Sequence, residues 1–525
     1  MIPFQEDWQK SQAHYRRTAA GISVDGQRDF LYQACVCFPS ANLPEQNRVQ
    51  QMLENLELKW CPYSLLPALE LLTRFDGQLT AAARASLQSF LKSSKKDMLQ
   101  ELAHHQYNSF RLLSIAGLLG LSVLDQDQKA EETAVEALYE TYVHSHKYSM
   151  MDEFLSPFYT AQQLAALAEI RKLPLDRWIL QMAAQLEDFI WQGVLNHYEP
   201  GLLALTGPCS RGYTSELAGH FQIILACLRR LLGEEAGFTF AETVWNPAYA
   251  ERILPHGTLE AVRLYALYFS DFPYSCKEET LETWRTRTLP CFLSETVHTD
   301  ASRDRSIKEQ PPDTVPFDYP EGELHLSQYL EKGFSLGWTD REYENGMACP
   351  GLQCFYEKDG WPKAFFPRLV RGDRYIGQWN EYPNLHLTLS PSNFPDDGRK
   401  TVTKTDRGLS LTYRPRAFLR GTEEMKLDLI FASQFSLPDR VTVGGLPVTE
   451  FDGRKHFPLK KVTVEDAGRE FSFLPEKSSG YWKFTLKNGF LNLEWAQASK
   501  DFDTLLWKLE MTVKTQHDGK EIELS

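Results

Sequence analysis

The chain has 525 residues, 42% hydrophobic and 24% charged, which is the balance of a soluble globular protein with a large core and too long for one ordinary domain. A formal net charge of −14 excludes nucleic acid and an anionic membrane as main partners, while leaving room for an anionic substrate in a local basic cleft. Aromatic residues reach 12%, a level that suits both sugar binding, through stacking on apolar ring faces, and a large β-sheet core.

The first residues, MIPFQEDWQKSQAHYRRTAA, contain no basic segment followed by an apolar run, so no signal peptide is expected. No uncharged apolar run approaches membrane-spanning length. The nine cysteines include no CxxC pair, only Cys35 and Cys37 in a CxC, and no metal-ligand spacing. Together these features predict a cytoplasmic protein with reduced thiols, without a metal or other cofactor.

From the N-terminus the pattern is helix after helix. "LTAAARASLQSFLKSSKKDMLQELA", "SFRLLSIAGLLGLSVL", "EETAVEALYETYVHSH", "TAQQLAALAEIRKL", "LDRWILQMAAQLEDFIWQGVL" and "SELAGHFQIILACLRRLLG" all place apolar residues three and four apart. Short polar or Pro/Gly connections mark antiparallel neighbours. The spacing predicts a helical domain over residues 1–271.

Beyond it the period changes to two. "NLHLTLSPSN", "GLSLTYRPRAFLRG", "KLDLIFASQFSL", "GYWKFTLKNGFLNLEWAQA" and "TLLWKLEMTVKTQ" alternate apolar and polar residues between Asp-Gly, Asn-Gly, Pro and Ser turns. Residues 272–525 therefore read as one antiparallel β domain, with the Pro-rich stretch 301–320 as an excursion from the sheet.

A helical domain followed by a large antiparallel β domain, with "QYLEKGFSLGWTDREYENG" at residues 328–346, resembles the heparinase II/III-like and alginate-lyase-like polysaccharide lyases. That resemblance implies an α+β multidomain fold, an N-terminal (α/α) toroid-like domain followed by a C-terminal antiparallel β-sandwich, with a cleft at the toroid mouth. Ser156-Pro157-Phe158-Tyr159 and Gly207-Pro208-Cys209-Ser210-Arg211-Gly212-Tyr213 also resemble an SPxY…GPxSRxY pair found in uncharacterised microbial proteins.

In a toroid the chemistry gathers where loops meet inner-helix N-termini, and three junctions are rich in reactive side chains. "LAHHQYNSF" supplies His104, His105 and Asn108; Asn108 is equally a good helix N-cap. "HSHKYSMMDEFLSPFYT" supplies His144, His146, Asp152, Glu153 and Tyr159, with Ser156-Pro157 read as N-cap and first helical residue. Its HxH lacks a third ligand, so no metal is assigned. "GPCSRGYTSELAGH" supplies Arg211, Tyr213, Glu216 and His220, the last one turn beyond Glu216 on the same helix face. In the β domain, "RLVRGDRYIGQWNEYPN" places Arg374 beside Trp379, a pairing that suits an acidic sugar or merely a solvated surface.

Three functions stay open. β-Elimination at a uronic acid, implied by the resemblance, would use Tyr213 with His104 or His105 for proton transfer, while Arg211 and Asn108 neutralise the carboxylate. Glycoside hydrolysis would pair Glu216 with Asp152 or Glu153. A non-catalytic glycan-binding protein would use the same architecture without turnover. In each case the expected partner is an oligo- or polysaccharide, contacted also by Tyr159, His220, Arg374 and Trp379.

Overall fold

The computed structural model describes residues 3–21, 24, 26–39, 43–55, 57–103, 108–210, 222–242, 245, 259–299, 322–341, 351–371, 374–375, 399–414, 424–432, 436–476, 479–487, 490–498, 505–515 and 522. The chain divides into two compact units. One comprises Met1–Glu153, Phe158–Gly193 and Ile223–Arg285; the other comprises Phe154–Pro157, Val194–Gln222 and Thr286–Ser525.

The first unit is helical. Its described helices are α1 (Pro3–Ala20), α2 (Gln27–Cys37), α3 (Leu43–Asn55), α4 (Pro62–Arg74), α5 (Ala81–Leu102), α6 (Ser109–Asp125), α7 (Gln128–Lys147), α8 (Tyr159–Ile170), α9 (Arg177–Asn196, whose last turn passes into the other unit), α10 (Ile224–Leu232), α11 (Leu259–Phe269) and α12 (Glu278–Arg285). Alternate helices differ in character. α2 is buried from Phe30 to Cys37, α4 from Ser64 to Leu72, and α8 at every residue. By contrast, α5 buries a single stripe, Ala83, Leu87, Phe90, Leu91, Ser94, Met98 and Leu102, at helical spacing. α7 does the same through Ala130, Ala134, Ala137, Leu138 and Thr141.

Contacts follow that division: α2 packs on α4, α4 on α6 and α6 on α8, while α5 and α7 cover α6 from outside. The buried helices run in one direction. First-turn residues of α4, α6 and α8 meet through the rings of Tyr63 and Phe110 and the hydroxyls of Tyr63 and Tyr159. Near the other end, Thr73 Oγ1 donates to Glu169 Oε1 at 3.0 Å, joining the last turns of α4 and α8. Close approach of α6 depends on two glycines: a Cβ on Gly120 would lie 2.2 Å from Leu69 Cδ1, and one on Gly117 2.6 Å from Met98 Sδ. Where the buried helices end, carboxylates and cations neutralise one another. Arg74 bonds Glu70 at 2.9 Å and Asp271 at 3.3 Å, and Asp271 also takes the buried Arg16. Cations at these C-termini complement the helix dipoles.

The second unit carries two large sheets, antiparallel throughout. The larger runs, edge to edge, Phe457–Pro458, Tyr481–Lys487, Phe490–Ala498, Glu424–Ala432, Trp361–Arg371, Leu352–Lys358, Phe334–Thr339, Gly322–Glu331 and Cys291–Thr299, with Arg374–Tyr375 pairing to the end of Trp361–Arg371. The smaller runs Leu446–Pro447, Arg440–Val443, Val462–Asp466, Arg469–Pro475, Trp507–Thr515, Gly408–Arg414 and Arg399–Thr405. Both sheets feed one hydrophobic core: Leu427, Leu429, Leu493 and Trp495 from the larger, Leu411, Val464, Phe473 and Trp507 from the smaller.

Period-two alternation then dictates the other face of the larger sheet, which is polar and nonetheless buried at Lys426, Asp428, Asn492 and Glu494. The register sets Arg368, Asp428, Glu494 and Lys483 side by side across four strands, with Lys426 Nζ 2.9 Å from Glu494 Oε2. The described cysteines are free thiols. Among the described residues, no helix is long and apolar enough to cross a membrane.

Candidate functional site

Two of the three reactive junctions meet in the helical unit, at the start of α6. Asn108 has extended backbone, and its Oδ1 accepts from the Arg111 N–H at 3.1 Å, so it is the N-cap of α6. The next free backbone donor, Ser109 N–H, is taken at 3.0 Å by Glu153 Oε2. Glu153 is also reached by Gln163 Nε2, 3.3 Å from its carbonyl oxygen. A buried carboxylate thus sits on a helix N-terminus, where the dipole favours it. Asp152, its neighbour, bonds His144 Nε2 at 2.8 Å through Oδ1, and both groups are buried. His146 points elsewhere: its Nδ1 meets the Tyr142 carbonyl one turn back, at 2.8 Å and exposed. α8 begins at Tyr159 rather than at Pro157, because Ser156 and Pro157 belong to the turn-rich segment that follows the left-handed Leu155 (φ 46°).

Sequence reasoning missed the cluster that surrounds Tyr63. The Arg28 guanidinium, in the first turn of α2, lies 5.6 Å from the Tyr63 ring centre and 5.2 Å from that of Tyr265. Its Nε donates to Asp29 Oδ1 at 2.8 Å and its Nη2 to the Tyr265 hydroxyl at 2.6 Å, while that hydroxyl donates to the same Asp29 oxygen at 2.7 Å. Burial pulls the Arg28 pKa down, but Tyr265 and Asp29 outweigh it, and the guanidinium is held more firmly protonated than in water. Tyr63 also meets the Phe110 ring edge-on at 5.2 Å and places its hydroxyl 3.5 Å from that of Tyr159. Cation, phenols and amide cap therefore gather where the buried helices begin. The available sequence signal was weak: Arg28-Asp29 and Tyr63 each look like ordinary first-turn residues, and only helix packing brings them together.

In the second unit the GPxSRxY stretch is tied to the segment that precedes Ser156. Ser210 donates twice to the Phe154 carbonyl, from its backbone N–H at 3.0 Å and its hydroxyl at 3.1 Å. Gly207 (φ 96°) and Pro208 pack on the strand Phe334–Thr339, where a Cβ on Gly337 would lie 2.5 Å from Pro208 Cδ and 2.8 Å from Gly207 Cα. Only glycine at position 337 lets the two backbones come so close.

Beneath Gly207 lies a buried polar network. The Thr206 hydroxyl donates to the His197 carbonyl at 2.6 Å, so its oxygen serves as acceptor for Gln328 Nε2 at 2.7 Å. Gln328 Nε2 reaches Ser335 Oγ as well, at 2.6 Å, which turns Oε1 toward His197 Nδ1. Oε1 can only accept, so Nδ1 carries the proton and Nε2 is left bare. Nε2 has no hydrogen-bond partner among the described residues. Burial pushes the His197 pKa down to about 4, with nearby Arg287 acting in the same direction and the Gln328 hydrogen bond opposing.

Of the residues singled out from sequence, Asn108, Asp152, Glu153 and Tyr159 lie in the helical unit as described above. His104, His105, Arg211, Tyr213, Glu216, His220 and Trp379 lie outside the described residues. Arg374 is in the two-residue strand that pairs with Val370 and Arg371. Nearby Arg368 is buried, with its guanidinium 5.4 Å from the Phe366 ring centre.

Residues 115–251, a stretch holding both Ser156–Tyr159 and Gly207–Tyr213, match the model of a domain of unknown function, DUF8769. No curated protein matches the chain. Among solved structures, the chain is similar to a chondroitin AC lyase of Streptomyces coelicolor A3, determined in complex with chondroitin sulphate. The similarity covers 98% of this chain and 80% of that one, at 13% identity and a TM-score of 0.41.

Proposed function

We propose that this chain is a carbohydrate-active enzyme that cleaves an oligo- or polysaccharide by β-elimination at a uronic acid. We further read the helical unit as an (α/α) toroid and the paired sheets as a β-sandwich, in support of which stand the alternation of buried and half-buried helices and the core shared by both sheets. The observation that carries the functional reading is the composition of the helix-start cluster. It holds a cation (Arg28), an amide (Asn108) and two phenols (Tyr63 and Tyr159), while each nearby carboxylate is bonded to a donor: Asp29 to Arg28 and Tyr265, Asp152 to His144, Glu153 to the Ser109 N–H.

That inventory suits elimination better than hydrolysis. A glycosidase needs two carboxyl groups facing the scissile bond, one protonated; Asp152 and Glu153 are 4% and 1% exposed. Elimination needs instead a cation or amide to neutralise the uronate carboxylate, which acidifies the C5 proton, and a phenol or imidazole to remove it. The base takes the proton from C5, the C5–H electrons become the C4=C5 double bond, the C4–O bond breaks, and the leaving oxygen acquires a proton. We assign the base to Tyr213 with His104 or His105 as its partner, and carboxylate neutralisation to Arg211 and Asn108.

The test is incubation with a panel of uronate-containing and neutral oligosaccharides, following ultraviolet absorbance and reducing ends together. Absorbance rising with new ends is the expected result, lost in Tyr213→Phe by at least about 100-fold and little changed in Glu216→Gln. New ends without absorbance, abolished in Glu216→Gln, would establish the hydrolase instead.

A further inference from the structure

Arg28 is built as a recognition group. Of its five N–H donors, Nε and one on Nη2 are spent on Asp29 and Tyr265. Those two nitrogens share one edge of the guanidinium, so the opposite fork, formed by Nη1 and the outer N–H of Nη2, has no hydrogen-bond partner among the described residues. Its central carbon lies 5.6 Å from the Tyr63 ring centre and 5.2 Å from that of Tyr265. The side chain is 26% exposed, against 15% for Asp29. By contrast Arg111, whose side chain is 1% exposed, spends its donors on the Leu102 and Ala137 carbonyls. Here the arginine is held along one edge by Asp29 and Tyr265 with its outer bidentate edge unspent, an arrangement that suits a planar carboxylate.

We infer that Arg28 is a substrate-binding residue whose open fork takes the carboxylate of an acidic sugar. Asp29 and Tyr265 are positioning residues: they occupy the inner edge and leave only the outer one for the ligand. This inference rests on the uronate reading and adds to it a carboxylate contact on α2, far in sequence from Arg211.

The experiment compares binding of unsulfated oligouronides (glucuronate, galacturonate, mannuronate and guluronate series), their carboxyl methyl esters, and sulfated neutral oligosaccharides, by calorimetry on the full chain. Wild type should bind an acid form at least tenfold tighter than its ester, and should bind no sulfated neutral sugar with comparable affinity. That acid-to-ester ratio should fall to near one in Arg28→Ala and to an intermediate value in Arg28→Lys, which keeps the charge and loses the fork. The ratio is internal to each variant, and Arg28→Lys provides it if Arg28→Ala does not fold. An unchanged ratio in the variants, with wild type binding and cleaving an oligouronide, would overturn the role of Arg28 alone. Preference for the sulfated neutral sugars would overturn carboxylate recognition. Failure of wild type to bind any oligouronide would overturn both this inference and the uronate reading.

Discussion

Protonating His197 should destabilise the protein by an amount that can be worked from its surroundings. In the unfolded chain a histidine titrates near 6.5. In the fold, burial drives His197 down to about 4, because the charged form would place an Nε2–H where the described residues provide no acceptor. Between these two values the unfolded chain binds a proton that the folded chain refuses, so stability is fully present above 6.5 and is lost as the pH falls toward 4. The gap amounts to about 3 kcal/mol in all, of which about 2.5 kcal/mol is expressed between pH 7 and pH 4.5. Other groups also titrate there, so the measurement is a comparison with His197→Gln, whose side-chain amide can still donate to Gln328 and carries no charge at either pH. Urea unfolding followed by tryptophan fluorescence at both pH values yields the two losses. Wild type should lose about 2.5 kcal/mol more than the variant. Equal losses would refute the neutral buried state.

Three further outcomes follow from packing and capping. Gly337→Ala drives a methyl group to 2.5 Å from Pro208 Cδ and 2.8 Å from Gly207 Cα and should cost about 3 kcal/mol in thermal unfolding; an unchanged midpoint would refute this close approach. Arg111 is buried and bonds Thr141, Leu102, Ala137 and Glu140, so Arg111→Met strands buried carbonyls and should cost about 3–5 kcal/mol by denaturant titration. Asn108 separates its two roles: Asn108→Asp keeps the cap and stability within about 0.5 kcal/mol, whereas Asn108→Ala loses about 1 kcal/mol. If Asn108 also neutralises a uronate, Asn108→Asp should cut turnover at least tenfold despite normal stability; full turnover would leave it a cap alone.

Much of the fold was legible because periodicity is a local property. Apolar residues at three- and four-residue spacing mark α5 and α7, whose single buried stripes are visible in "AAARASLQSFLKSSKKDMLQEL" and "QKAEETAVEALYETYVHSHK". The alternation in "EMKLDLIFA" likewise separates the core positions Leu427 and Leu429 from Lys426 and Asp428. Asn108 before a long apolar run announces a helix start, and it is the N-cap of α6. The site was legible in part: Asn108, Glu153 and Tyr159 stood out as polar groups at helix starts, and the first two both accept backbone N–H groups from the first turn of α6.

What the sequence determined by itself, then, is the succession of elements and the polar character of the helix starts, since both depend on neighbours within a few residues. Tertiary structure alone decided which starts coincide. Arg28 and Tyr63 stand in the first turns of α2 and α4 and Tyr265 in the second half of α11, and only the packing of these distant segments brings the three together. Packing likewise made Gly207 and Gly337 obligatory, by pressing two backbones closer than any side chain allows. The protonation state of His197 belongs to the same class: an isolated histidine titrates near neutrality, and it is Thr206, Gln328 and burial that hold this one neutral with its proton on Nδ1.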